Sequence, residues 1–137
     1  MTTAAQADAE RSTPRVLRGW WLVANAALPP LAWLVHIAAM PALVPLSCDT
    51  ESTWFLHLTT VATAIVAAAG LVGSHRSWHE VARQRTADAE DPLEDPRGEV
   101  LDRARIWSTL GVVNGWLFLV LILAEHLPVL VVEPCPP

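Results

Sequence analysis

Residues Trp54–Gly73 read WFLHLTTVATAIVAAAGLVG, without one charged side chain. At about 1.5 Å of rise per residue, a helix of that length reaches across a hydrocarbon layer about 30 Å thick. A strand would need apolar and polar residues to alternate, and Val61–Ala69 (VATAIVAAA) does not alternate. A helix also satisfies every backbone donor and acceptor within its own segment, as lipid demands. The stretch therefore predicts a membrane-spanning helix.

Two segments of similar length flank it, Gly19–Pro41 and Trp107–Leu127. The expected fold is an all-α membrane protein with three transmembrane helices. In chain order it has a polar cytoplasmic tail (1–18), a first span (19–41), a turn (42–53), a second span (54–73), a charged loop (74–106), a third span (107–127) and a tail (128–137). Residues 1–14 are polar and rich in Ala and Thr, a composition that predicts disorder. An Arg-bearing segment ahead of an apolar stretch also resembles a signal peptide, but that stretch is long and Pro29-Pro30 interrupts it. It is read as a retained span.

All nine basic residues are Arg, and they lie on one side of this plan. Arg11, Arg15 and Arg18 precede the first span, and Arg76, Arg83, Arg85, Arg97, Arg103 and Arg105 lie between the second and third. The turn and the final tail have none. The positive-inside rule then predicts a cytoplasmic N-terminus and an extracytoplasmic C-terminus. Trp20, Trp21, Trp54 and Trp107 at the span edges match headgroup-level anchors.

The chain has 137 residues, 53% hydrophobic and 17% charged, with a net charge of −5. Three spans leave too little soluble chain to enclose a substrate. No phosphate-cradling Gly loop and no assignable Ser/His/Asp set is present, so an enzyme is disfavoured. The acidic balance speaks against a nucleic-acid surface. Three spans without paired repeats speak against a classical secondary transporter formed by one chain.

The loop holds six Arg against eight Asp or Glu. Ser77–Ala87 can extend the second helix, with Arg76 and Glu80 four apart; Asp91–Gly98, with Pro92 and Pro96, should break it. Glu99–Arg105 then begins the third helix. The segment reads as a solvated hairpin or as a docking surface.

Helix association in lipid relies on close packing and on hydrogen bonds. Ser108, Gly111 and Gly115 form a small-residue series on the third helix, and the second supplies Thr59, Thr60, Thr63, Ala67 and Gly70, also rich in small side chains. The same series would serve a homo-oligomer. Asn25 and Asn114 fall in the cytoplasmic half, where they are expected to bond each other or a Thr. Pro29-Pro30 predicts a kink in the first helix.

At the opposite end, His36, His57 and Glu125-His126 are expected within about two turns of the outer boundary. They are candidate ligands: His36, His57 and His126 for a cofactor, and the same three with Glu125 for a metal, copper or haem being the chemistries in view. Hydrogen bonding between helices accounts for the same residues without any ligand. Cys48 and Cys135 fall in one oxidising compartment, which favours a disulfide; metal-binding or exchange-active thiols are the alternatives. Asp49, Glu51 and Glu133 make that end acidic, a rim able to attract cations or a basic partner. His75 and His79, four apart at the other end, are read as interfacial residues or as an incomplete metal pair.

Trp33-Leu34-Val35-His36, Val44-Pro45-Leu46-Ser47-Cys48 and Leu56-His57-Leu58-Thr59, with Leu127-Pro128 and Glu133-Pro134-Cys135 at the end, resemble a group of small bacterial multi-pass membrane proteins. Members of that group are encoded near haem–copper terminal oxidases and their copper-insertion factors. The resemblance covers roughly residues 19–73 and 107–135. It implies an accessory or assembly role around a respiratory oxidase, with oxidase subunits or assembly factors and membrane lipids as partners, and with His36, Cys48, His57 and Cys135 at its marked positions. The alternative is a membrane redox or metal/haem-binding protein built on the outer His/Cys cluster.

Overall fold

The computed structural model describes residues 18–88 and 98–131. Three α-helices account for nearly all of them: α1 (Gly19–Asp49), α2 (Trp54–Asp88) and α3 (Gly98–Val131). All three are long and apolar enough to cross a membrane, and each packs against the other two. The all-helical architecture follows the expected plan. The chain's first residues, the Asp91–Arg97 part of the break and the final tail with Glu133 and Cys135 lie outside the described residues.

The helices outrun the apolar segments that define them. α1 continues past Pro41 and Pro45 to Asp49, so the connection expected over 42–53 shrinks to 50–53. α2 continues through the charged positions to Asp88, and α3 starts at Gly98. α1 also stays helical across Pro29 and Pro30. Neither proline can donate to the carbonyls of Asn25 and Ala26, and that defect is covered by α2. The missing Cβ of Gly70 would lie 2.8 Å from the Asn25 carbonyl and 2.8 Å from Pro29 Cδ. A hydrogen-only side chain lets the α2 backbone close over the freed carbonyl, sealing a polar group that lipid would not satisfy.

The buried face of α2 runs Leu56, Thr60, Thr63, Ala67, Gly70, Ser74, Ser77 and Val81, stepping by four and three in strict alternation. α3 repeats the pattern with Leu101, Ala104, Ser108, Gly111 and Gly115. A repeat of 3.5 residues keeps one narrow seam against its neighbours along a left-handed crossing. Most of that seam is small, so backbones meet closely: the absent Cβ of Gly115 would sit 2.8 Å from Leu71 Cβ, and that of Gly111 would overlap the Ser74 hydroxyl. Ser108, Gly111 and Gly115 thus pack within the chain, one of the two uses that their spacing allowed.

The core is layered along the axis. Leu22, Val81, Leu101 and Ala104 close the Arg-rich end, where an Arg85–Asp102 ion pair also ties α2 to α3. Above them lies the small-residue layer, with Asn25, Ser74 and Ser108 buried. Asn25 donates to the Trp21 carbonyl of its own helix at 2.8 Å. It bonds neither Asn114 nor a threonine, correcting the sequence expectation, because its amide is pressed onto Gly73. Next come Ala32, Ala67 and Ile122 with Trp33, Ala64 and Leu119. Polar side chains return between that layer and the 50–53 turn.

The turn itself is a defined helix stop. Thr50 N–H bonds Leu46 O at 3.1 Å, Glu51 N–H bonds Cys48 O at 3.4 Å, and Ser52 N–H bonds Ser47 O at 3.0 Å. Those paired bonds form a Schellman cap, with Glu51 at φ 52° in the place usually held by glycine.

Candidate functional site: an interhelical histidine layer

Thr59, Thr60 and Thr63 begin the layer, because threonine in an apolar helix satisfies its hydroxyl on the preceding turn. Thr59 donates to Phe55 O at 2.9 Å, Thr60 to Leu56 O at 3.0 Å, and Thr63 to Thr59 O at 2.8 Å. Each hydroxyl has one hydrogen. Once it is spent on the backbone, the oxygen remains only as an acceptor, and two of the three oxygens receive an imidazole.

His126 Nδ1 lies 2.9 Å from Thr60 Oγ1, and its Nε2 lies 2.8 Å from His57 Nδ1. The threonine's acceptor role puts the His126 proton on Nδ1, leaving Nε2 to accept from His57 Nδ1–H. The two rings meet edge to face, with centroids 4.9 Å apart. α2 and α3 are thereby linked by a directional chain from His57 through His126 to Thr60. It lines a groove of about 440 Å³ whose other walls include Val61, Ile65 and Leu123.

On the α1 side, His36 is fully buried, at 0% exposure, with Nδ1 3.2 Å from Thr63 Oγ1. Its Nε2 has no hydrogen-bond partner; the nearest polar group is Glu125 Oε2, at 3.9 Å. The other carboxyl oxygen of Glu125 accepts Trp33 Nε1–H at 3.0 Å. Trp33 also rests against Phe118, with ring centroids 5.4 Å apart, which fixes the indole over α3.

The four candidate ligands therefore come together as two pairs, His57–His126 and His36–Glu125. Among the described residues, no group of three or more His, Cys, Asp or Glu is placed to hold a metal ion. α1 runs on past His36 to Asp49, roughly 20 Å further along the axis. Cys48 is half-buried near the end of α1. Cys135 lies outside the described residues, and with it the expected bridge.

Trp33 and Thr60 belong to the layer although neither figured among the candidate ligands. Their spacing is informative, since Trp33 precedes His36 by three and Thr60 follows His57 by three, placing each pair on one helix face. Asn114 is half-buried and takes no part. At the other end, His75 and His79 Nε2 atoms lie 3.0 Å apart, with His75 stacked over Trp78. Glu80 accepts from Gln84 at 3.0 Å instead of pairing with Arg76.

Against known proteins, no family model, no curated protein and no solved structure matches this chain.

Proposed function

We infer that the chain is a non-enzymatic accessory or assembly protein of a bacterial inner membrane, serving a respiratory terminal oxidase. Its nine Arg support an orientation with the 74–106 segment and the N-terminus in the cytoplasm and the His layer toward the outer face. The oxidase is suggested by the motif resemblance around His36, Cys48 and His57.

The docking role rests chiefly on Trp116. It is 60% exposed and lies on α3 roughly 13 Å beyond Trp107, well inside the apolar stretch. Lipid-facing tryptophans gather at the headgroup level, whereas tryptophan away from it is characteristic of protein contacts. Val113, Leu117 and Val120 are exposed beside it at helical spacing, giving one continuous face for a neighbouring membrane helix.

Affinity isolation in mild detergent tests this directly. Oxidase or assembly subunits should co-purify, identified by mass spectrometry and by their haem absorbance, and Trp116→Ala should reduce their recovery with helix content unchanged. Repeated recovery of the chain alone would refute the reading.

The second reading is a membrane redox or metal/haem-binding protein, favoured by the His57–His126 contact at the mouth of a groove. Those two imidazoles are the residues that would hold copper or haem. A Soret band or near-stoichiometric metal that disappears in His57→Ala would establish it; metal-free, haem-free protein from cells replete in both would remove it.

A further inference from the structure

The groove beside His57 and His126, about 440 Å³, has a polar end and an apolar end. His57 stands three residues into α2, roughly 4.5 Å along the axis from Trp54, which is exposed at the start of the helix where an aromatic anchor meets the headgroups. Ala64, Ile65, Ala68, Leu119 and Leu123 continue the lining, and Ala68 lies roughly 16 Å deeper than His57. The polar end is therefore near the membrane edge and the apolar end near its middle, whichever way the chain is inserted. Ala64 and Ala68, four apart on one face of α2, bring only methyl groups to this trough.

The hydrogen-bond chain at the polar end runs in one direction. Thr60 spends its proton on Leu56 O, so it accepts from His126 Nδ1–H, and His126 Nε2 accepts from His57 Nδ1–H. A neutral imidazole carries a single N–H. His57 Nε2 is thus left as a lone pair, and no described residue donates to it. A chain that ends on an acceptor is completed by a donor. An uncharged hydroxyl can supply that donor below the level of Trp54, whereas a phosphodiester headgroup would have to leave water to do so, at far greater cost.

We propose that this groove binds an isoprenoid quinol, one phenolic O–H donating to His57 Nε2 and the tail lying along Ala64, Ala68 and Leu119 toward the middle of the membrane. The quinol joins an uncharged donor to a long apolar tail, and its phenolic O–H is a stronger donor than an alkyl hydroxyl. The corresponding quinone has the same ring and tail but only carbonyl acceptors, which have nothing to give the His57 lone pair. The site therefore distinguishes two redox states of one molecule by a single hydrogen bond. It uses the histidine pair of the second reading above and requires neither a metal nor an oxidase.

Native mass spectrometry tests this on the full chain, stripped of metal with a chelator and released without oxygen from phosphatidylethanolamine–phosphatidylglycerol nanodiscs. Parallel samples carry a short-chain ubiquinol, its quinone, or an alcohol with the same isoprenoid tail. The wild type should retain the quinol over the quinone by roughly three- to tenfold, the scale of one hydrogen bond, and over the alcohol as well. His57→Phe, which keeps a ring and removes the acceptor, should bring the quinol-to-quinone ratio to about unity. If that variant does not fold, Ala68→Leu, which fills the trough and leaves both histidines, should lower retention of quinol and quinone alike. Equal or greater retention of the quinone or the alcohol by the wild type overturns the proposal, as does retention of phospholipid alone or an unchanged preference in folded His57→Phe. With metal removed and no oxidase present, failure here leaves both readings above as they stood.

Discussion

The side-chain amide of Asn25 occupies the space in which a residue other than glycine at position 73 would carry its Cβ. Asn25 is held there by its bond to the Trp21 carbonyl, so it cannot step aside without giving up a buried hydrogen bond. Gly73→Ala is expected to destabilise the bundle by roughly 1–3 kcal/mol, the cost of overpacking a tight contact. Thermal unfolding in detergent reads this out. In an Asn25→Ala background the same substitution should cost much less, because the clashing group is gone; equal costs in both backgrounds would show that Asn25 is not what requires glycine here.

His126 makes two side-chain bonds and His57 one. In membrane helices each such bond contributes about 0.6 kcal/mol on average. Removing His126 strands both His57 and the Thr60 oxygen, whereas removing His57 leaves the His126–Thr60 contact in place. His126→Ala should therefore lower the unfolding temperature more than His57→Ala, by roughly twice the free energy. A reversed order would mean that the bridge runs through a different proton arrangement from the one the threonines impose.

The three-helix architecture was legible because Trp54–Gly73 and its two counterparts are long, non-alternating and carry a single charged residue, Glu125, among them. The charged segments placed the end of α2 and the start of α3 to within a residue or so, but not the end of α1: its apolar span closed at Pro41, yet the helix runs on through Pro41 and Pro45 to Asp49. The spacing of Ser108, Gly111 and Gly115 marked a close-packing face, without fixing whether its partner lay within the chain or in a second copy. The partner of Asn25 could not be read, because polarity gives the need for a hydrogen bond without its direction. The same limit applied to the histidines: their depth along the chain was readable, but the azimuth that separates His57–His126 from His36–Glu125 depends on how α1 and α3 rotate against α2. Trp33, three positions before His36, was the overlooked clue that this face of α1 is polar.

Glu51 adopts φ 52° to complete the cap that ends α1. A left-handed backbone costs a side-chain-bearing residue about 1–2 kcal/mol, and glycine avoids that cost. Glu51→Gly should raise stability by roughly 1 kcal/mol, measured by thermal unfolding, with the helix content unchanged. Glu51→Val should move stability the other way, because branching at Cβ makes the same conformation worse. A neutral or destabilising Gly variant would show that the Glu51 carboxylate contributes something the backbone argument does not contain.

Cys48, near the end of α1, and Cys135, in the final tail, are the only cysteines in the chain. If the Arg distribution orients the helices by the positive-inside rule, both thiols face an oxidising compartment, and a Cys48–Cys135 bridge is expected. A closed loop of this length is worth roughly 4–5 kcal/mol in the chain-entropy account; helices that remain inserted when they separate have less freedom to lose, so the measured gain should be smaller. Cells are lysed with free thiols blocked, and an unreduced digest is then examined by mass spectrometry for the linked peptide pair. Maleimide labelling of intact cells supplies the complementary test of orientation, since after mild reduction an impermeant reagent should reach Cys48 but not a cysteine introduced at Arg85. Labelling at position 85 with Cys48 protected would invert the topology. Two blocked, unlinked cysteines in mature protein would instead leave the topology standing and eliminate the bridge.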